Sequence, residues 1–455
     1  MPSDSVGQKL SEPARTIPVV AETDVVVLGG GPAGIAAATA AARQGAQTML
    51  LERYGFLGGQ GTAAMVTNFC GLHVVANGEI IRVIRGVADD LLDRLSALDA
   101  LKSPHFVPGP DGAMTAAQAY DTAAFKSAAD DLLLSAGVDL RFHVLAVGAA
   151  VEDGEIDALI IETKSGRAAI RAHTFIDCSG DADLAHWAGA PYEVGDDDGF
   201  IAYPTLMFRM GDVDGQRAYA EGKPALRQKL AEAIAEGQQL PRRHGIINAQ
   251  NRPQEWRANL TQVSRDGRPI NGANWDDFSY AEIEGRRQVQ DYFNFLKDRV
   301  PGFERAYLLE TAPQVGIRET RRIIGPYQLT ADDVLGCRDF DDSIGINGWP
   351  LEIHRAGDVE WRFIPDRGWH QIPFRTLIPQ NVGNLLVAGR CASTTPGGQA
   401  SLRVSGPCLA MGQAAGTAAA MAVKADGAVA GTSVTDLQTR LADDGVVLHG
   451  HQLGL

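Results

Sequence analysis

Three glycines, Gly29, Gly31 and Gly34, stand at GxGxxG spacing between a β-branched run, Asp24 to Leu28, and an alanine-rich stretch of helical composition. Each would have a physical task around a bound dinucleotide. Gly29 permits a tight turn, Gly31 lets the backbone approach a pyrophosphate with no side chain in the way, and Gly34 lets the helix pack closely on the strand. Pro32 and Ala33 lie between them, where the free N–H groups of the helix start would face phosphates. Glu52 closes a second strand, Gln47 to Leu51, about 20 residues on, and is placed to accept hydrogen bonds from an adenosine ribose. A GxGxxG alone is also met as a glycine-rich turn in α/β proteins. Here the strand, helix, second strand and terminal acid agree.

A second group of residues carries charge. Arg318, Arg321 and Arg322 stand in GIRETRR, His354 ends PLEIH, His370 sits in WHQIPF and Arg403 in GGQASLRVSG. On a helix, Arg318 would share a face with Arg321 or Arg322. On a strand, Arg318 and Arg322 still would. Such a pair could hold an anion, although Glu319 and neighbouring acids could absorb it in ion pairs. His354, close to the turn Asn347-Gly348-Trp349-Pro350, titrates near neutral pH. It could serve as general base on a hydroxyl or as proton donor to a reduced double bond. A histidine after an apolar strand can equally be a satisfied structural residue, and His370 could do no more than position a crossover.

The stretch RYGFLGGQGT brings Arg53, the pair Gly58-Gly59, Gln60 and Thr62 directly after the ribose-binding acid. That suits a loop running along the pyrophosphate and ribityl chain of a long, stretched FAD. Near the other end, Asn384 to Ala388 is a buried-strand pattern ended by Gly389-Arg390. Ser405 to Val423 then reads as a small-residue helix whose first turns, with Cys408 and Leu409, could face a flavin ring. Ala146 is counted with these cofactor-binding positions.

Four blocks, in this order, resemble the FAD-dependent oxidoreductase family related to the succinate dehydrogenase and fumarate reductase flavoproteins, within the glutathione-reductase-like FAD folds. They are IPVVAETDVVVLGGGPAG with GFLGGQGT; TFIDCSGDADLAHWAGAP; GIRETRRIIGPYQLTADDV; and HQIPFRTLIPQNVGNLLVAGRCAS running to MGQAAGTAAA. The resemblance implies a second pass of the chain over FAD at Gly180 and Asp181 and a third at Gly389 and Arg390. It also implies that Arg403 binds a substrate carboxylate just before the helix that meets the flavin. A guanidinium there could polarise a carbonyl or hydroxyl oxygen while a hydride moves, and it could equally bind a flavin phosphate or pair with an acid of its own chain. Arg390 stands where the succinate dehydrogenase relatives carry an acid, so their ribityl contact does not carry over unaltered. No histidine stands among Arg53 to Leu57, so FAD is expected to be noncovalent.

The elements that must position these residues give an α/β fold: a discontinuous Rossmann-like FAD-binding domain with an inserted α+β substrate domain. The expected boundaries are a flexible arm at 1–21, the FAD domain at 22–190 and 376–425, the inserted domain at 191–375, and a C-terminal helix and tail at 426–455. Within the first part, RFHVLAVGAAVEDGEIDALIIETKSGRAAIRAHTFID reads as three strands broken by turns at Asp153-Gly154 and Ser165-Gly166. At 455 residues the chain can bury two sizeable cores. Its net charge of -15 argues against nucleic acid. No apolar run approaches membrane-spanning length. Five cysteines without a CxxC pair or a metal-ligand cluster suit a reducing cytoplasm and no metal.

No CxxxxC follows the first unit and no second GxGxxG follows a strand, so a disulfide relay and a built-in NAD(P)H domain are both absent. The expectation is an FAD-dependent dehydrogenase or reductase. It would move a hydride between a small polar or anionic organic substrate and noncovalent FAD, with His354, Arg403, Arg318 and Arg321 as catalytic residues. A flavin-dependent oxygenase and a non-catalytic electron-transfer subunit are the alternatives. Expected partners are a small-molecule substrate and an unknown electron acceptor or donor, with no nucleic acid and no membrane. A homo-oligomer is left open.

Overall fold

The computed structural model describes residues 11–365 and 367–455, so the first part of the expected arm, 1–10, lies outside the described residues. Strand β1 (Val19–Leu28), helix α1 (Pro32–Arg43) and strand β2 (Thr48–Glu52) form the unit read from the glycine motif. Val25, Val26, Val27 and Leu50 are fully buried, because helices or strands cover both faces of the sheet. β1 pairs in parallel with β2 (Val25 opposite Thr48) and with the Gly166–Asp177 strand (Leu28 opposite Asp177). Asp139–Phe142 and Leu385–Val387 extend the parallel set on either side.

The three-strand excursion is an antiparallel meander of Leu145–Glu152, Glu155–Thr163 and Gly166–Asp177. Its last strand does double duty. It runs beside β1 from Ala169 to Asp177, while its other edge pairs first with the meander and then, from Phe175, with Leu385–Val387. The Ser405–Ala425 helix lies directly on α1. A Cβ added to Gly412 or Gly416 would lie 2.0 Å from the carbonyl oxygen of Ala33 or Ala37. The small residues of both helices are therefore what allows their backbones to approach.

A second core gathers Leu206 to Ile317 around a four-stranded antiparallel sheet, ordered Ile246–Ala249, Trp256–Asn259, Phe208–Gly211, Tyr307–Thr311. The helices Lys223–Ala235 and Trp275–Arg299 belong to it, and Met65 reaches it from the first unit. The inserted segment was expected to span 191–375, yet Leu329, Ile346, Leu351, Ile372 and Phe374 pack in the first core. The reason is that Ser343–Asn347, which pairs with His370–Pro373, lies against the Ser405–Ala425 helix. The tail forms an α-helix, Val434–Asp443, between two short 3-10 turns, Val429–Gly431 and Gly450–Leu453, with Leu437 and Leu441 in the first core. Among the described residues no helix is long and apolar enough to cross a membrane.

Candidate active site

The glycine motif builds a cradle from two loops. Gly29 has a φ of +101°, and a Cβ there would lie 2.5 Å from the Cys178 carbonyl oxygen, so only glycine fits this crossing of β1 and the Gly166–Asp177 strand. At Gly31 the situation reverses: a Cβ would meet only the Cα of Gly59, at 3.7 Å. The Gly58 N–H donates to the Gly30 carbonyl at 2.8 Å and ties the second glycine pair to the first. Neither α1 nor the Ser405–Ala425 helix has a side-chain cap at its start. Two sets of free first-turn amides thus fit the phosphates and the ring of an FAD.

The acid at the end of β2 is engaged on both oxygens. Glu52 Oε2 accepts from the Gly30 N–H at 2.7 Å and Oε1 from the Tyr54 N–H at 2.9 Å. Burial pushes its pKa up against those bonds. Each oxygen keeps a lone pair for a ribose hydroxyl. The Glu52 carbonyl accepts from the Val144 N–H at 3.1 Å, which brings the strand carrying Ala146 alongside. Arg53 lies over the Tyr54 ring and donates to Gln314 at 3.3 Å. Thr62 is turned inward onto the Leu57 carbonyl at 2.7 Å, while Gln60 lies beside Gly316.

Arg390 and Asp181 pair with each other at 2.6 Å. Arg390 also donates to the Gly180 carbonyl at 2.8 Å and to the Ile317 carbonyl, so it clamps the second and third passes of the chain together. Beside Gly389, Cys408 is buried with its thiol on the Arg403 carbonyl at 3.4 Å, and Leu409 is buried behind it. Asp177, absent from the expected set, shapes the turn into Gly180: its carboxylate accepts from the N–H groups of Ser179 and Ala185. An acid closing a strand just before SGD was its sequence signal.

A separate, largely buried cluster forms where the second unit meets the start of the Ser405–Ala425 helix. His354 lies on the Leu351–Arg355 strand with Nε2 3.1 Å from Glu352 Oε1. Arg403 Nη2 donates to the Glu352 carbonyl at 3.0 Å and lies 3.9 Å from its carboxylate. Trp349 Nε1 donates to the same carboxylate at 3.2 Å. Burial alone would keep Glu352 protonated, but His354, Arg403 and Arg318 bring its pKa down to about 2. His354 moves the other way. Burial and the charge of Arg318 push it well below neutrality despite Glu352, which leaves a neutral imidazole beside an ionised carboxylate.

Arg318 reaches this cluster from the Gly316–Thr320 loop, donating to the Tyr203 carbonyl and to Thr205 Oγ1 at 2.8 Å. Burial and the charges of Arg242 and Arg403 work against its own charge, and Glu352 partly offsets them. Sequence reasoning missed Glu352 and Arg242. Glu352 was within reach of it, since residues two apart on a strand share a face.

The structure does not bring Arg321 to this cluster. GIRETRR is neither a helix nor a single strand: Arg321–Ile323 alone is a strand, paired with Tyr192–Val194. Its edge turns Arg321 onto Asp183 and the Asp181 carbonyl, both at 2.9 Å, and over the Tyr192 ring. Arg322 is fully buried on Glu319 and the carbonyls of Gly195 and Thr394, so the expected pairing of Arg318 with either neighbour is not formed. His370 is a satisfied core residue between Asn347 and the Gln371 carbonyl.

Residues 24–441 match the model of a family described as FAD dependent oxidoreductase. No curated protein matches the sequence. Among solved structures, a geranylgeranyl bacteriochlorophyll reductase-like protein from Thermoplasma acidophilum is similar at 14% identity, with 93% of this chain and 84% of that chain covered and a TM-score of 0.47. The p-nitrophenol 4-monooxygenase PnpA from Pseudomonas putida DLL-E4 is similar at 13% identity, with the same coverage and a TM-score of 0.48. GidA from Aquifex aeolicus is similar at 14% identity, with 90% and 64% covered and a TM-score of 0.47.

Proposed function

We propose a substrate and a proton path for this chain, which belongs to the FAD dependent oxidoreductase family and is an FAD enzyme. The reading is a dehydrogenase or reductase acting on a small anionic organic substrate. When bound, FAD supplies a ring that takes up or gives up a hydride. The chain would hold it noncovalently through the two glycine loops and the two uncapped helix starts. The observation that carries the substrate reading is the buried grouping of Arg403, Arg318, Glu352 and His354.

Arg403 and Arg318 would bind the anionic group, since buried guanidinium groups favour a paired carboxylate. Glu352 holds a proton on Nε2 of His354, which leaves Nδ1 as the free ring nitrogen. In the oxidising direction Nδ1 takes the proton of a substrate hydroxyl as the hydride leaves the carbon. In the reducing direction Nδ1–H returns a proton to the substrate. Burial keeps water from competing for either transfer. A separate electron donor or acceptor would complete the cycle.

The test is an anaerobic screen of the purified FAD-loaded protein, following its visible spectrum as hydroxy acids, polyols, amines, sugars and NAD(P)H are added in turn. Bleaching by a hydroxy acid supports the reading. Bleaching by neutral sugars or amines alone contradicts it, and bleaching by NAD(P)H alone points to a reductase or to the oxygenase alternative.

A further inference from the structure

Three basic side chains gather where the first core meets the second, and none of them belongs to the Glu352 cluster. Lys102 and His105 come from the first, leading into the hairpin of His105–Pro108 with Met114–Ala119. Lys223 opens the Lys223–Ala235 helix of the second. The segment that runs through the Ile246–Ala249 strand to Gln250 joins them. Lys102 Nζ donates to the carbonyls of Ala249, at 3.4 Å, and Gln250, while Lys223 Nζ donates to Asn248 Oδ1 at 2.7 Å. Gln118 Nε2 donates to the Lys102 carbonyl at 2.8 Å and holds that backbone beside the hairpin.

The group lacks a counter-charge. Burial works against the charge of Lys102 and of Lys223, and among the described residues no acid offsets it at either. Burial, then the charges of Lys223 and Lys102, push His105 below its ordinary value. Like charges are therefore held together in a chain of net charge -15, an arrangement that repels itself until an anion binds. An ammonium group has three N–H donors. Lys102 uses two and Lys223 one on the described residues, so three remain for that anion.

An aromatic ring stands beside these charges. One turn of π-helix, Ala218–Gly222, precedes Lys223, and a Cβ on Gly222 would lie 2.3 Å from the Pro301 carbonyl oxygen, so the turn packs closely on that loop. Single π-turns recur at functional sites. This one leaves Tyr219 70% exposed, with Lys223 Nζ 6.0 Å from its ring centroid. An open ring next to ammonium groups without an acid suits a nucleobase stacked on the one and its phosphates on the others.

We infer that Lys102, His105 and Lys223 form a phosphate site at the seam between the two cores, that the Tyr219 ring stacks the base, and that the ligand is a nucleotide carrying at least two phosphates. Its diphosphate stands where the acid is missing, and the negative charge favours the protonated form of His105. The site is independent of the substrate reading at Glu352, since it shares no residue with it.

The test is calorimetric titration of FAD-saturated protein with ADP, inorganic pyrophosphate and adenosine, the visible spectrum confirming that FAD stays bound. ADP is expected to bind more tightly than pyrophosphate, and adenosine at least about tenfold more weakly than ADP. Lys102→Gln and Lys223→Gln should each weaken ADP and pyrophosphate by roughly tenfold, whereas Lys223→Arg keeps the charge and should bind both as the unsubstituted protein does. Tyr219→Ala should weaken ADP by about tenfold and leave pyrophosphate unchanged. Lys223 and Tyr219 are exposed, so their variants decide the matter if Lys102→Gln fails to retain FAD. Unchanged ADP affinity in Lys223→Gln, or no binding of ADP and pyrophosphate by the unsubstituted protein below about 1 mM, overturns the phosphate site. Unchanged ADP affinity in Tyr219→Ala overturns the stacking of the base.

Discussion

Glu352 is a positioning residue whose role is visible in its partners: His354 on one oxygen, Trp349 on the other, and Arg403 on its backbone. Removing its charge with Glu352→Gln makes protonation of His354 harder. The acid limb of kcat/KM should therefore move to lower pH, by about 1 to 3 pH units for a charge at this distance. A merely structural role would lower activity at every pH and leave the limb in place. Buried histidines also set how stability responds to acid. Burial lowers the pKa of His370 and of His73 to about 4. Below the unfolded-state value of 6.5, the unfolded chain binds protons that the folded chain refuses, so stability falls as pH drops from 6.5 towards 4. Glu352 adds in the same sense lower down, since its stabilisation is present above 4.5 and is lost as pH falls towards 2. Thermal melts of FAD-loaded protein should show a midpoint at pH 5 below that at pH 7.5, with a shallower decline in His370→Asn. A flat profile would show that these imidazoles protonate without penalty. At this scale the glycines were legible because their chemistry lies in the backbone and in fixed spacing. Arg318, Arg321 and Arg322 were not, because three arginines within five residues look alike until the chain direction at each is known.

At the scale of elements, the contact between α1 and the Ser405–Ala425 helix holds the two uncapped helix starts together. Both helices are read easily from alanine and glycine content, whereas their near-touching at Gly412 and Gly416 depends on the fold. Gly412→Val would drive two methyl groups into the Ala33 carbonyl. The expected result is a loss of about 1–3 kcal/mol, seen as a lower melting midpoint, together with FAD released more readily on dilution. Gly45→Ala is a useful contrast, since a Cβ there meets nothing within 4 Å and its cost is that of the +91° φ alone. If both variants melt alike and retain FAD alike, the helix contact is not limiting. The meander was legible from alternation and two turn pairs. The fate of Leu329 to Leu377 was not. Short strands separated by Pro, Gly and Trp say little about which of two cores they join, and only the long Ser405–Ala425 helix beneath them decides it.

For the whole molecule, a buried cluster of arginines gathers around Glu352 although the chain carries a net charge of -15. Composition gave no sign of this. Acidic residues dominate the exposed surface, while the arginines that face inward are scattered from Arg242 to Arg403 and come together only in the fold. The fold class and the FAD cradle could be read from contiguous motifs. The buried cluster around Glu352 could be read only in part, through Arg318, His354 and Arg403, because they lie far apart in sequence and meet only in the fold. The central claim of the proposed function is that this cluster moves the substrate's proton through His354. The most direct test is the rate of anaerobic flavin bleaching by the substrate found in the screen, in His354→Gln against the unsubstituted protein at equal FAD content. A fall of about a hundredfold or more is expected, the usual contribution of a positioned acid–base group. Bleaching at an unchanged rate, with FAD fully retained, would contradict the claim.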